Sequence, residues 1–518
     1  MLQLGTEELS AQNVGNYAEI TGKKMCRKRT LSSLILAGLT LFMFAAIAAA
    51  QEPSSTTFST TVSFDGSDGF YPEYMSLAQG FDGNLYGTSV EGGTSTACGL
   101  YGCGTVFKVT TAGKLTTLHS FGSSNAYPYG SLVQDSNGKL YGTTYGSATS
   151  TKCTGSGGCG TVFKITTSGT LTTLHTFKGT DGYGPSGLIQ ATDGNFYGTT
   201  NYGGSYDGGT VFKITSGGTL TTLYNFCESG CEQSSYPLAG LVQGTDGDLY
   251  GTTGGVITKS CPLSCGTVFK ITTSGTLTTL HTFDGTDGYI PRGLIQATDG
   301  DFYGLTTDGG SSNGCANGCG TAFKITSSGT LTKIYDFCSD KNCTDGSYPA
   351  AALVQGIDGN FYGTASFGGT YDKGTVFKLT SSGTLTTLHS FESGKVDGTW
   401  PGYYPGAGLF EDTDGVFYGT TIQGGLYGGG TIFSVANGLD PFLMTNPTSG
   451  KVKAAVTILG TDLTGATSVT FDGKSATFTV VSSTEITTTV PTGAKTGSVE
   501  VKTPSGTSTS NVVFTVTD

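Results

Sequence analysis

The sequence predicts an all-β protein: a seven-bladed β-propeller followed by a small C-terminal immunoglobulin-like β-sandwich. Three observations carry this reading. A unit of four short β-rich phrases recurs seven times between residues 56 and 436. The last copy lacks its fourth phrase, and a matching segment, Phe58 to Phe64, stands ahead of the first copy. Glycine is abundant, at 85 of 518 residues, and charged residues make up only 12%. That balance favours strands and turns over helices.

The N-terminus reads as a targeting segment. Lys23, Lys24, Arg27, Lys28 and Arg29 form a basic patch ahead of an uncharged apolar run from Leu31 to Ala50. The run ends in three alanines, the small-residue pattern that signal peptidases cut. Residues 1–50 are therefore expected to be a signal-peptide region, with cleavage after Ala50 and Met25 as an alternative start. A retained membrane anchor is the other reading, since the run approaches spanning length. Cleavage leaves no membrane span and places the chain outside the cell, in the periplasm or at the cell surface.

Residues 51–440 hold the repeat. Its clearest phrase is Gly-x-Leu/Phe-Tyr-Gly, with tyrosines 86, 141, 197, 250, 303, 362 and 418 spaced 53 to 59 residues apart. Gly-Thr-Val-Phe-Lys follows it, then Leu-Thr-Thr-Leu-His, and a short apolar phrase ending in Gln precedes it. Asp-Gly or Asn-Gly joins the first two strands, a dipeptide suited to the positive φ of a hairpin turn. Each copy thus reads as a four-stranded antiparallel meander, and four strands per repeat is a propeller signature. One such sheet has two apolar faces and cannot bury both alone. A ring buries both, and Phe58 to Phe64 would complete the seventh blade with the strand it lacks.

Residues 441–518 change character. Glycine falls, and Thr and Val alternate with polar residues, as in Val469 to Phe471, Glu485 to Val490 and Ser498 to Lys502. Short alternating strands over this length suit a sandwich.

The phrases Gly266 to Thr272, Gly275 to Phe283 and Asp193 to Thr200 resemble the Gloeo/Verruco (GloVer) tandem repeat of exported bacterial proteins. That resemblance implies a secreted or surface location and carries no assigned chemistry. Pro447, Gly450, Val456 to Gly460, Val469 to Gly473, Val490 to Gly493 and Gly497 to Val501 resemble the IPT/TIG immunoglobulin-like family. In exported proteins that module implies a spacer or a contact domain.

Twelve cysteines follow the targeting segment in six close pairs. They are Cys98/Cys103, Cys153/Cys159, Cys227/Cys231, Cys261/Cys265, Cys315/Cys319 and Cys338/Cys343. In an exported chain an even set implies disulfides, paired by proximity. No metal is expected, because no His lies in these loops and the spacings are not those of zinc knuckles. Asp65/Asp68 and Asp284/Asp287 could offer oxygens to calcium, but turn formation explains them equally well.

The formal charge of −12 repels phosphate backbones, which excludes nucleic acid as a partner. No catalytic residue or cofactor is expected. His119, His175, His281 and His389 share one position of the fourth strand, where Tyr224, Tyr335 and Val62 also stand, so that position reads as packing. The Asp-Gly-Asn-Leu-Tyr phrase is also similar to streptogramin lyases, propeller enzymes with a His base and a metal, yet no non-repeating His exists here to take that role.

The long loops should emerge together at one end of the ring. The loops leading into each first strand carry Tyr71, Tyr127, Tyr183, Tyr236, Tyr289, Tyr348 and Tyr404, each close to a Pro, and Trp400 lies in the longest of them. These aromatics could stack on sugars or grip a polypeptide, or wedge between blades. The expectation is an exported non-catalytic binding or adhesion-type protein contacting a glycan or an extracellular protein. The alternatives are a lyase or hydrolase acting on a polysaccharide or lactone, and a structural surface-layer component.

Overall fold

The computed structural model describes residues 56–73, 76–99, 101–146, 159–228, 235–255, 265–349, 351–392, 399–401 and 408–517. The signal-peptide region and Met25 lie outside them. The described residues contain no α-helix, only the short 3-10 turns Ser123–Asn125 and Lys341–Cys343.

Hydrogen bonding organises residues 57–436 into seven antiparallel sheets, here called blades one to seven in chain order. Blade one runs Ala78–Gln79, Leu85–Ser89, Thr105–Val109 and Leu115–Ser120, each strand paired with the next. In blade seven the outermost strand is Thr57–Ser63, antiparallel to Thr431–Ala436. The register even reproduces the repeat's bulge. Thr60 opposes Phe433 and Val62 opposes Ile432, as Thr117 opposes Phe107 and His119 opposes Val106 in blade one.

Apolar side chains join each blade to the next. The Phe that ends a fourth strand meets the Phe of the next blade's third strand edge-on, as in Phe121–Phe163 at 5.4 Å and Phe391–Phe433 at 5.2 Å. The same contact links the last blade to the first: Phe64 meets Phe107 at 5.2 Å. Around it Val62, Tyr418 and Ile432 pack with Leu77, Leu85 and Val109 in one core cluster. Both faces of each sheet are thereby shielded, which a single twisted sheet cannot achieve.

Two polar devices repeat inside this frame. The Tyr hydroxyl of the second strand donates to the turn aspartate, as in Tyr86–Asp82 at 2.8 Å and Tyr250–Asp246 at 2.7 Å. The third-strand lysine reaches the same carboxylate, as in Lys213–Asp193 at 2.9 Å and Lys378–Asp358 at 2.7 Å. The inner-strand glutamine accepts a backbone N–H from the preceding blade, as in Thr245 N–H to Gln296 at 2.9 Å and Thr298 N–H to Gln355 at 2.9 Å. The Asp-Gly turn differs from the expectation in one respect. Only its glycine takes positive φ, such as Gly83 at 73°, because Gly83 N–H donates to Gly80 O at 2.9 Å and Gly80 N–H to Asn84 O at 2.8 Å, a three-residue hairpin loop in which only the last residue is left-handed.

The C-terminal residues form two four-stranded sheets, one through Ala455–Leu459 and Glu485–Thr489, the other through Ser468–Phe471 and Val499–Thr503, with a short parallel pair of Ser449–Lys451 and Thr515–Thr517 beside them. Val456, Ile458, Phe471, Ile486, Val501 and Phe514 fill the space between them. Pro53–Asp518 is one compact unit, and this sandwich sits on the short-turn end of the blades. Phe442 N–H donates to Thr413 O at 3.0 Å. Asn446 Nδ2 donates to Gln134 O at 3.0 Å, and Thr484 Oγ1 to Phe81 O at 3.4 Å.

Candidate functional site

With the sandwich on the short turns, the opposite end carries the long loops. Six residues directly before a proline at or just ahead of a blade's first strand adopt a left-handed backbone: Tyr71, Tyr127, Gly184, Tyr236, Ile290 and Tyr348, with φ between 52° and 63°. For a residue with a Cβ that conformation is strained and must be held by its surroundings. The holding contacts come from the previous blade. Tyr127 N–H donates to Cys103 O at 2.9 Å, Tyr236 N–H to Gly208 O at 2.9 Å and Tyr71 N–H to Gly429 O at 3.0 Å. The following proline packs on a glycine so closely that a Cβ on Gly104 would lie 2.4 Å from Pro128 Cδ, and one on Gly430 2.7 Å from Pro72 Cδ.

Tyr71, Tyr127, Tyr183, Tyr236, Tyr289 and Tyr348 are all half-buried. Tyr183 stacks on Tyr202 at 5.0 Å and Phe70 leans on Tyr71 at 4.4 Å. Their backbones or adjoining prolines bridge neighbouring blades, with part of each ring open. Tyr404 and the Trp400 side chain lie outside the described residues.

The more exposed aromatics belong to the other set of long loops, between second and third strands. Tyr101, Tyr206, Tyr371 and Tyr427 are between 46% and 65% exposed, and Leu426 beside Tyr427 is 60% exposed. Sequence reasoning passed over them. The available signal was Gly-Gly-x-Tyr, at Gly203 to Tyr206, Gly368 to Tyr371 and Gly424 to Tyr427, where paired glycines turn the chain and push the ring outward.

Leu426 and Tyr427 stand at the seam between blades seven and one. A cleft of about 470 Å³ runs along it, lined by Thr60 to Ser63, Asp68, Leu426 and Tyr427 and, towards the short turn of blade one, by Gly113 and Leu115. Phe70 stacks on Tyr101 at 5.7 Å nearby. Burial, with the charge of Asp65 adding to it, pushes the Asp68 carboxyl up to about 6. A second, more polar cleft of about 450 Å³ lies among the loops of blade five, lined in part by Asp284, Tyr289, Asn313 and Asn317.

The histidines take up structural duties. His175 Nε2 meets Asp181 at 2.9 Å and His281 Nε2 meets Asp287 at 2.6 Å, each fastening the loop that follows. At the same position Tyr335 donates to Asp345 at 2.7 Å. His389 stacks on Phe58 at 3.6 Å, against the closing strand. The aspartates considered for calcium accept turn N–H groups. Asp65 takes those of Ser67 and Asp68 at 2.8 and 3.2 Å, and Asp284 takes that of Thr286 at 2.9 Å.

Three cysteine pairs are bonded as proximity suggests: Cys98–Cys103, Cys315–Cys319 and Cys338–Cys343. Cys159, Cys227 and Cys265 are also in disulfides. Cys153, Cys231 and Cys261 lie outside the described residues.

The Gloeobacter/Verrucomicrobia repeat family model matches residues 145–316 and 312–462. The IPT/TIG domain model matches residues 443–516. No curated protein sequence matches the chain. Among solved structures, it is similar to a fungal alcohol oxidase of the AA5 family in complex with copper, at 12% identity and TM-score 0.49, over 90% of this chain and 100% of that one. It is similar to a putative gluconolactonase at 12% identity and TM-score 0.33, over 54% of this chain and 82% of that one. The gluconolactonase XC5397 from Xanthomonas campestris gives 14% identity and TM-score 0.33, over 58% and 82%.

Proposed function

Because the chain belongs to the Gloeobacter/Verrucomicrobia repeat family, we propose that it is an exported, non-catalytic binding protein that contacts a glycan or an extracellular protein with the long-loop end of its propeller. The observation that carries this is the distribution of exposed aromatics. Tyr101, Tyr206, Tyr371 and Tyr427 all stand on long loops, while the sandwich occupies the short-turn end. Flat rings with one open face suit stacking on sugar C–H surfaces or gripping a polypeptide. Within this reading the half-buried Tyr71 and Tyr127 line the approach.

Export is supported by the basic patch and apolar run ahead of Gln51 and by the disulfides, which persist in oxidising compartments. No helix of the described residues is long and apolar enough to cross a membrane. The sandwich, in this proposal, is a spacer or second contact.

The test is a glycan array and a pull-down from extracellular extracts with the purified chain, alongside Tyr101→Ala/Tyr427→Ala. Binding that weakens at least tenfold in the double variant supports the reading. Turnover of a polysaccharide or lactone by the purified chain overturns the non-catalytic part. Unchanged binding in the double variant overturns the placement of the contact.

A further inference from the structure

We propose that, once its two disulfides are reduced, the four cysteines of blade five form a tetrathiolate site for one soft divalent cation of the zinc type. Taken along the sequence, each cysteine pair offers two ligands and falls short of a metal site. Among the described residues the fold removes that limit in blade five. Blade five carries a pair in both of its long loops, Cys315/Cys319 between the second and third strands and Cys338/Cys343 after the fourth. Their Sγ atoms all lie within 4.8 Å of one another. Four thiolates on a tetrahedral zinc at about 2.3 Å stand roughly 3.8 Å apart, so after reduction the formerly bonded sulfurs must part to that distance while the farthest sulfurs of the cluster approach by about 1 Å.

The backbone is built for that approach. A Cβ on Gly314 would lie 2.2 Å from Cys338 Sγ and 3.1 Å from Cys343 Sγ, so only glycine lets the first loop reach the sulfurs of the second. Cys338 and Cys343 hold left-handed φ angles of 58° and 53°. Cys338 N–H donates to Gly346 O at 3.0 Å and Cys343 N–H to Asp340 O at 3.0 Å, and Ser312 Oγ donates to Cys338 O at 2.8 Å. These bonds hold the turns that carry Cys338 and Cys343 in addition to the S–S bond.

The two chemical states differ in what they tie together. The disulfides span four and five residues and each closes its own loop. A metal would join the two loops to each other. In the conversion an external dithiol supplies two electrons and two protons to each disulfide and becomes a disulfide itself. The four thiols then release four protons as the cation forms its four metal–sulfur bonds, so uptake strengthens as pH rises.

The experiment uses the full chain, reduced anaerobically with a phosphine, which leaves as its oxide. Cobalt is titrated first and then displaced by zinc. The expected result is one equivalent of cobalt with the visible bands of a tetrahedral tetrathiolate, lost in Cys315→Ser and in Cys338→Ser and retained in Cys98→Ser. Alkylation of the reduced wild-type chain with and without zinc, mapped by mass spectrometry, needs no variant to fold. Zinc should protect Cys315, Cys319, Cys338 and Cys343 together. Absence of the bands, bands of full strength in Cys315→Ser and Cys338→Ser, or protection falling on other cysteines would overturn the proposal.

Discussion

The hydroxyl of Tyr141 donates to Asp135 at 3.0 Å, across six residues of chain, whereas Tyr197 and Tyr303 donate to an aspartate only four residues away. In the second blade the turn aspartate is replaced by Asn137, and the carboxylate reappears two positions earlier. The hydrogen bond is kept while its origin in the sequence moves. Lys164, deprived of the usual carboxylate, donates instead to Ser216 O at 3.4 Å.

Asp135 also accepts the N–H groups of Asn137 and Lys139, both at 2.9 Å. Asp135→Ala should therefore cost about 2–3 kcal/mol, since a buried hydroxyl and two turn donors lose their acceptor. Adding Asn137→Asp should recover part of the loss by restoring the arrangement of the other blades. Chemical denaturation of the single and double variants checks both statements.

A buried Thr–Thr or Ser–Thr hydroxyl pair closes the second and third strands in several blades, as in Thr200–Thr210 at 2.9 Å and Thr421–Thr431 at 2.8 Å. Blade six has Ala365 opposite Thr375, and the Thr375 hydroxyl is buried without a partner. Ala365→Thr should raise stability by about 1 kcal/mol. A fall in denaturation midpoint would show that Gly346, packed against Ala365, leaves too little room.

Blade seven breaks the charge pattern. Glu411 replaces the inner-strand glutamine, Asp412 follows it, and Ser434 stands where each of the other six blades has the lysine. Glu411 and Asp412 are 4% and 2% exposed. Burial, aided by neighbouring carboxylates, pushes both up to about 7, from ordinary values of 4.5 and 3.8. The folded state thus binds these protons more tightly than the unfolded chain. Their stabilising effect is full below about pH 4 and is lost as pH rises through about 7. Asp193 has the opposite sign. Burial works against its charge, but Lys213, Asn195 and Tyr197 outweigh it and bring it down to about 2, so its contribution is lost as pH falls from 4 towards 2. Thermal melts should show greatest stability in mildly acid solution. Glu411→Gln should raise Tm at pH 8, leave it nearly unchanged at pH 5 and flatten the profile between.

The closing strand should matter as much as any interior strand. Phe64 is fully buried in the cluster joining blades seven and one. Phe64→Ala should cost about 3–5 kcal/mol, comparable with Phe121→Ala at an ordinary blade junction. A loss below about 1 kcal/mol would mean that the Thr57–Ser63 strand is not part of the cooperative fold.

The repeat made the four strands of each blade, their order and the completion of the last sheet by Phe58 to Phe64 legible, because those depend on local alternation, turn residues and recurrence. The exposed tyrosines were harder to find. Exposure is set by how neighbouring loops pack, and the Tyr-Pro rings that recur most strictly are the ones partly consumed in bridging blades.

The sequence by itself determined what lies close along the chain: strand periodicity, hairpin turns, the local disulfides and a copy number that can be counted. Only the tertiary structure decided what meets across the fold. It seated the sandwich on the short turns, moved a carboxylate under Tyr141 without moving the bond, left Glu411 and Asp412 buried beyond the reach of any repeat lysine, and set two cysteine pairs side by side in blade five. Local preference is additive along a chain, whereas burial and proximity between distant residues arise only when the blades pack.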